Sequence, residues 1–201
     1  TGEARISVPP DLAQIDAGVT SEAKTAREAS DANNAAMGKV LLALKGAGLD
    51  EKDYQTSRLS LQPQYSSKTG SPTAITGYRA SNRVTIRLRD VTKVASMIDT
   101  LVTAGANEIG GINFMVSQAS KLLDDAREQA VADARRKAEI YAKAAGVTLG
   151  APLSISEEGA AQPLFRAKLA TPMAAAPTPI AQGEETLSIT VGMTWAIKQG
   201  Q

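Results

Sequence analysis

Residues 75–89 read ITGYRASNRVTIRLR, and this stretch decides the fold. Tyr78, Ala80, Asn82, Val84, Ile86 and Leu88 fall on one side of an extended chain. Arg79, Ser81, Arg83, Thr85, Arg87 and Arg89 fall on the other. A period of two over this length predicts a strand with one apolar face, which must be covered by another layer. Upstream, Tyr54 to Tyr65 is also strand-like, with Leu59 and Leu61 on one side, and the turn-rich connector Ser66 to Thr73 holds Gly70 and Pro72. Downstream, Asp90 can cap a helix over about Val91 to Ala104, with Val94, Ile98, Leu101 and Val102 inward and Gly105 at its end.

Working outward, Ala4, Ile6 and Val8 alternate in a first strand that Pro9-Pro10 breaks. Leu12 to Thr20 resumes in extended form, with Ile15, Ala17 and Val19 on one face. Thr25-Ala26-Arg27-Glu28 has the spacing of a capping box. The helix it opens runs to about Ala47, with Ala29, Ala36, Met37, Val40, Leu41 and Leu44 as its stripe. Ile109 to Gln118 reads as a strand, Ser120 to Ala145 as an Ala-rich helix, and Val147 to Glu158 as extended chain. Thr186 to Lys198 is a final strand, with Leu187, Ile189, Val191, Met193, Trp195 and Ile197 on one face.

Strand, helix, strand, strand therefore occurs twice, over 12–89 and 109–198. Both long helices carry Ala-Arg-Glu, at Ala26 and at Ala126, and both close near Ala-Gly. The expected class is α+β: two β-α-β-β units forming mixed sheets, or one shared mixed sheet, with helices packed on one face. Residues 159–183 are set apart as a long insertion. Eight Ala and four Pro between Ala160 and Gln182 disfavour regular structure there. Leu164, Phe165, Leu169, Met173 and Ile180 are scattered through it, so something should cover this arm. Either the arm packs back on its own sheet or it inserts into a neighbouring copy.

The composition narrows the chemistry. The 201 residues include 22 Lys and Arg against 21 Asp and Glu, with no Cys and no His. Disulfides, thiol nucleophiles, Cys/His zinc sites and every His-based triad are excluded. A general acid or base near neutral pH would have to be a perturbed Asp, Glu, Lys or Tyr, so no catalytic residue and no cofactor is assigned. A net charge of +1 and only seven aromatics argue against a nucleic-acid partner. The longest strong apolar run, Val40 to Leu44, is far too short to span a bilayer.

Three features could still carry chemistry. The Arg79, Arg83, Arg87 and Arg89 row lies on one face, with ~13 Å between Arg79 and Arg83. It can bind an anionic ligand or partner, or be a solvated face with cross-strand carboxylate partners. The pairs Asp124-Asp125, Glu157-Glu158 and Glu184-Glu185 lack calcium-loop spacing, and adjacent residues point apart, so no metal site is assigned. Gly105, Gly110 and Gly111 fit neither phosphate-loop pattern and read as turn glycines.

Short motifs recur in a definite order. They include Thr1-Gly2-Glu3, Pro10-Asp11-Leu12-Ala13-Gln14-Ile15, Ala23-Lys24-Thr25-Ala26-Arg27-Glu28-Ala29 and Asn33-Asn34-Ala35-Ala36-Met37. Later come Ile75-Thr76-Gly77-Tyr78, Ala144-Ala145-Gly146-Val147 and Pro179-Ile180-Ala181-Gln182-Gly183-Glu184. In this order the chain resembles the SIMPL-domain family of bacterial envelope proteins, as one domain over 1–201. The resemblance implies a periplasmic protein, possible association with the outer membrane or another envelope component, and a signal peptide already removed. For one branch it implies a large ring-like homo-oligomer with a channel-like space, and for another a role in oxidative-stress defence. It carries no catalytic residues. The alternative expectation is a monomeric binding module that recognises an anionic envelope component through the arginine face.

Overall fold

The computed structural model describes residues 1–66, 74–158, 164–166 and 180–199. In chain order the elements are β1 (Gly2–Val8), β2 (Leu12–Ala23), α1 (Ala26–Gly46), β3 (Tyr54–Tyr65), β4 (Ile75–Leu88), α2 (Val94–Thr103) and β5 (Glu108–Met115). Then follow α3 (Ala119–Ala144), β6 (Val147–Glu158), β7 (Leu164–Arg166) and β8 (Glu184–Gln199). The class is α+β. The strands form two sheets, ordered β3-β4-β2-β5 and β1-β8-β6, with β7 also pairing to β8. Every pairing is antiparallel, so the expectation of mixed or shared sheets is corrected. The reason is local: β3 runs parallel to β2 after the α1 crossover, but its hairpin partner β4 inserts between them.

The two sheets belong to two compact units. The first contains β2 to β5 with α1 and α2. The Thr25 hydroxyl accepts from the Glu28 amide and the Glu28 carboxylate accepts from the Thr25 amide, so the capping box forms as expected. Gly48, at φ 84°, follows the helix in the left-handed conformation. Met37, Val40 and Leu44 of α1 are buried against Ile15, Val19, Val84 and Ile86 of the two central strands. On α2 the buried residues are Val94, Met97 and Leu101, whereas Val102 is exposed. The inward assignment of Val102 is thus corrected: a 94–97–101 spacing keeps one narrow face inward.

One polar side chain sits in this core. Asn33 is buried, and its Nδ2 donates to the carbonyl oxygens of Val19 (2.7 Å) and Ala80 (3.1 Å). It ties α1 to β2 and β4 at once.

The second unit contains β1, β8, β6, β7 and α3. Ala126, Ala130 and Ala134 make a buried ridge at four-residue spacing on α3. Ala4, Ile189 and Val191 pack against this ridge. Small side chains let strand and helix approach closely: a Cβ on Gly2 would lie 1.9 Å from the Ala130 carbonyl oxygen. The contact is locked at its edge by Asp133, which accepts from the Glu3 amide (3.2 Å) and pairs with Arg136 and Lys137. Arg127 joins α3 to β6 through both carboxylate oxygens of Glu157 (2.8 and 3.0 Å), and also binds Asp124 (2.6 Å). Two of the acidic residues singled out in the sequence thus serve as structural counter-ions.

Two stability outcomes follow. Asn33→Ala removes both donations and strands two carbonyls, so urea denaturation should show a loss of about 1–3 kcal/mol. Lys137, Arg136 and the Glu3 amide hold the Asp133 carboxyl well below the usual carboxylate range. A depressed carboxylate stabilises the fold above its unfolded pKa and loses that contribution as pH falls. Asp133→Asn should therefore lower the urea midpoint at pH 7, with a deficit that begins to shrink below about pH 4.

Candidate functional site on the open face of the four-stranded sheet

The face of this sheet opposite α1 carries the polar half of the β4 alternation. Gln14, Asp16, Thr20 and Glu22 of β2 lie across from Arg87, Thr85, Ser81 and Arg79 of β4. On the other side, Arg58, Ser60 and Gln62 of β3 lie across from Arg83, Ser81 and Arg79. Arg79 and Arg83 therefore share a face as expected, with Arg87 further along it.

Carboxylates meet most of the row. Arg79 donates to Glu22 through Nε (2.8 Å) and Nη2 (2.7 Å), and Gln64 Nε2 donates to the same oxygen (2.8 Å). Arg83 Nε donates to Glu108 (3.0 Å), whose other oxygen accepts from the Thr20 hydroxyl (2.6 Å). Arg89 lies just beyond the strand and pairs with Asp53 (3.1 Å). Among the described residues Arg87 has no ion pair. It lines a concavity of about 290 Å³ with Lys52, Asp53, Tyr54, Gln55, Thr56, Ser57 and Thr85.

The Arg83–Glu108 bridge spans a whole strand. Glu108 on β5 lies across from Gly18 on β2, and Gly18 lies across from Arg83 on β4. Gly18 is buried, and a Cβ there would sit 2.9 Å from Arg83 Cγ and 2.9 Å from the Asn82 carbonyl oxygen. The absent side chain lets Arg83 lie over β2 and away from β3. The donors keep both acids ionised: Arg79 and Gln64 hold the Glu22 carboxyl below its ordinary pKa, and Thr20 and then Arg83 do so for Glu108, against its partial burial.

A second concavity, of about 190 Å³, lies beside this bridge. Arg58, Ser60, Gln62, Arg79, Ser81, Arg83, Thr20 and Glu108 line it. Arg58 is the residue that sequence reasoning missed. It stands directly opposite Arg83 only because β3 carries a register shift between Thr56 and Arg58. The alternation of Arg58, Ser60 and Gln62 against Leu59 and Leu61 was the available signal. Among the described residues no group of three or more carboxylates converges as a metal site.

The residues of the suspected arm part company. Leu164 and Phe165 belong to β7, which pairs with β8 opposite Thr186 and Glu185. Ile180 is half-buried against the core of the first unit. Leu169 and Met173 lie outside the described residues.

Gly18→Ala tests the bridge. The new methyl must displace either Arg83 or the β4 backbone, and a loss of about 1–3 kcal/mol in chemical denaturation is expected.

Comparison with known proteins places the chain. Residues 1–195 match the model of SIMPL, described as a protein of unknown function (DUF541). The 26 kDa periplasmic immunogenic protein of Brucella melitensis is 40% identical over 98% of this chain and 83% of its own length. The uncharacterized protein YggE of Edwardsiella ictaluri is 31% identical over 77% of this chain and 65% of its own length. YggE of Escherichia coli is 29% identical over 77% and 63%. With a family match spanning nearly all of its length, the chain belongs to the SIMPL family.

Proposed function

We propose that this SIMPL protein works in the periplasm by assembling with copies of itself, without turning over a substrate. The observation that supports assembly best is a pair of long edge strands bearing uncovered apolar side chains. β3 and β6 are both twelve residues long, and each is the outermost strand of its sheet. On β3, Leu59 is 69% exposed, with Leu61, Tyr65 and the facing Ile75 also exposed. On β6, Leu153 is 68% exposed, and Ile155 and the β8 residue Ile197 are similarly open.

Single exposed apolar residues need no explanation, but rows of them on a free edge present a template for another chain. The same edges carry brakes. Pro63 on β3 and Pro152 on β6 lack an amide to donate, and both strands have register shifts. Such breaks favour a closed assembly over an open fibre.

The periplasmic placement leans on the name of the Brucella relatives. No helix of the described residues is long and apolar enough to cross a membrane. The non-catalytic reading leans on the lack of His and Cys, and on relatives named as immunogenic or uncharacterized proteins. A part in oxidative-stress defence would then work through assembly in the envelope. Met37 and Met97 are buried, so packing accounts for them better than oxidant scavenging.

Light scattering across a dilution series should give a multiple of the chain mass. Replacing Leu59 and Leu61, or Leu153 and Ile155, with Lys should shift the particle toward smaller species. Circular dichroism and the melting temperature should stay nearly unchanged, because these side chains are exposed. A monomer at every concentration would reject the proposal.

A further inference from the structure

The open face of the four-stranded sheet contains an electrostatic contradiction. Arg58 and Arg83 are direct cross-strand neighbours, an arrangement that like charges disfavour. On the same face Arg79 is answered by Glu22 and Arg83 by Glu108, whereas Arg87, further along, has no ion pair among the described residues but also faces no second arginine across the strands. Among the described residues Arg58 has no ion-pair or hydrogen-bond partner for its guanidinium. Arg83 is drawn over Gly18 by Glu108 and uses only its Nε there, so both of its terminal nitrogens remain available. Both arginines line the concavity of about 190 Å³, together with Arg79, the hydroxyl and amide groups of Thr20, Ser60, Ser81 and Gln62, and Glu108, whose two oxygens are engaged by Thr20 and Arg83.

We propose that this concavity binds a phosphate-type oxyanion, bridged by Arg58 and Arg83. The charge arithmetic suits it. Arg58, Arg79 and Arg83 face Glu22 and Glu108, which leaves one uncompensated positive charge. Both acids are turned toward their own donors, Gln64 and Arg79 for the first and Thr20 and Arg83 for the second. Donors converge from two strands and from hydroxyl, amide and guanidinium groups. A tetrahedral oxyanion, with acceptors pointing in several directions, matches that set better than a planar carboxylate, which one guanidinium can satisfy. A water molecule takes about 30 Å³, so the space holds an oxyanion with part of its hydration shell. Binding relieves the Arg58–Arg83 repulsion, which supplies the reason for tolerating it. Leu59 and Leu61 alternate with Arg58, Ser60 and Gln62 and so lie on the opposite face of β3 from the site.

Inorganic phosphate is the first probe, titrated into the full chain by calorimetry at about 0.15 M ionic strength, where the Debye length is about 8 Å. Vesicles of phosphatidylglycerol, against phosphatidylcholine vesicles, are the second. The proposal expects saturable binding in at least one arm. Phosphate alone identifies a free oxyanion, and vesicles alone identify a lipid headgroup. In the responding arm, Arg58→Gln should weaken binding about tenfold, and Arg58→Lys should weaken it less, since it keeps the charge but loses the planar fork. Arg87→Gln removes the same charge from the same face at ~13 Å from Arg83, and should change affinity less than threefold. Loss of binding to the same extent in Arg58→Gln and Arg87→Gln would mean diffuse attraction and overturn the site. So would binding that ignores Arg58, or no binding in either arm. Arg58 is exposed, and its removal should leave the melting temperature unchanged or slightly raised, which separates loss of binding from loss of fold.

Discussion

The pleat of β4 is the constraint on which the first unit rests. Ala80, Val84, Ile86 and Leu88 are buried beneath the helix layer, and a two-residue period then obliges Arg79, Arg83 and Arg87 to stand on the opposite side. Core and polar basin are thus two readings of one strand. A slip of one residue would bury guanidiniums and expose Ile86, so the hydrophobic core itself fixes the register of the charged face. Gly18 adds the lateral freedom that the pleat lacks, since it lets Arg83 reach a carboxylate one strand further away.

The second unit solves its packing differently. Its helix brings alanines where the first helix brings Met37, Val40 and Leu44. A shallow ridge buries little area per residue, and the compensation is proximity: Gly2 lies almost on the helix backbone. Charged contacts line its margin, at Asp133 and Arg127. They sit in solvent, where each contributes little alone. Their value is to fix where strand and helix meet.

Much of this was legible beforehand, because local rules set it. The alternation of residues 75–89, the Thr25–Glu28 box and the Ala-Gly helix ends gave elements within a few residues of those observed. Asn33 escaped because a polar residue in an apolar stripe looks like a break in the stripe until its two carbonyl partners are known. Arg58 escaped because its neighbour depends on a bulge in the hairpin, and no periodicity announces one. The choice of strand partners escaped for a deeper reason. Alternation says which way a side chain faces and nothing about which strand lies alongside. The expected strand–helix–strand–strand order recurs, yet β5, which precedes α3, pairs with β2, while β1 takes the place beside β8.

That exchange of places has a consequence for how the chain is made. Gly2 pairs with Val191, and Val8 with Glu185. β1 therefore finds its hydrogen-bonding partner only after β2 to β7 have been synthesised. Residues 11–115, which carry the strands and helices of the first unit, are contiguous and can condense while synthesis continues, before Ile180 arrives to pack on them. β1 must wait with an unfilled ladder, and its pairing with β8 carries the entropic expense of the long loop that separates the two strands.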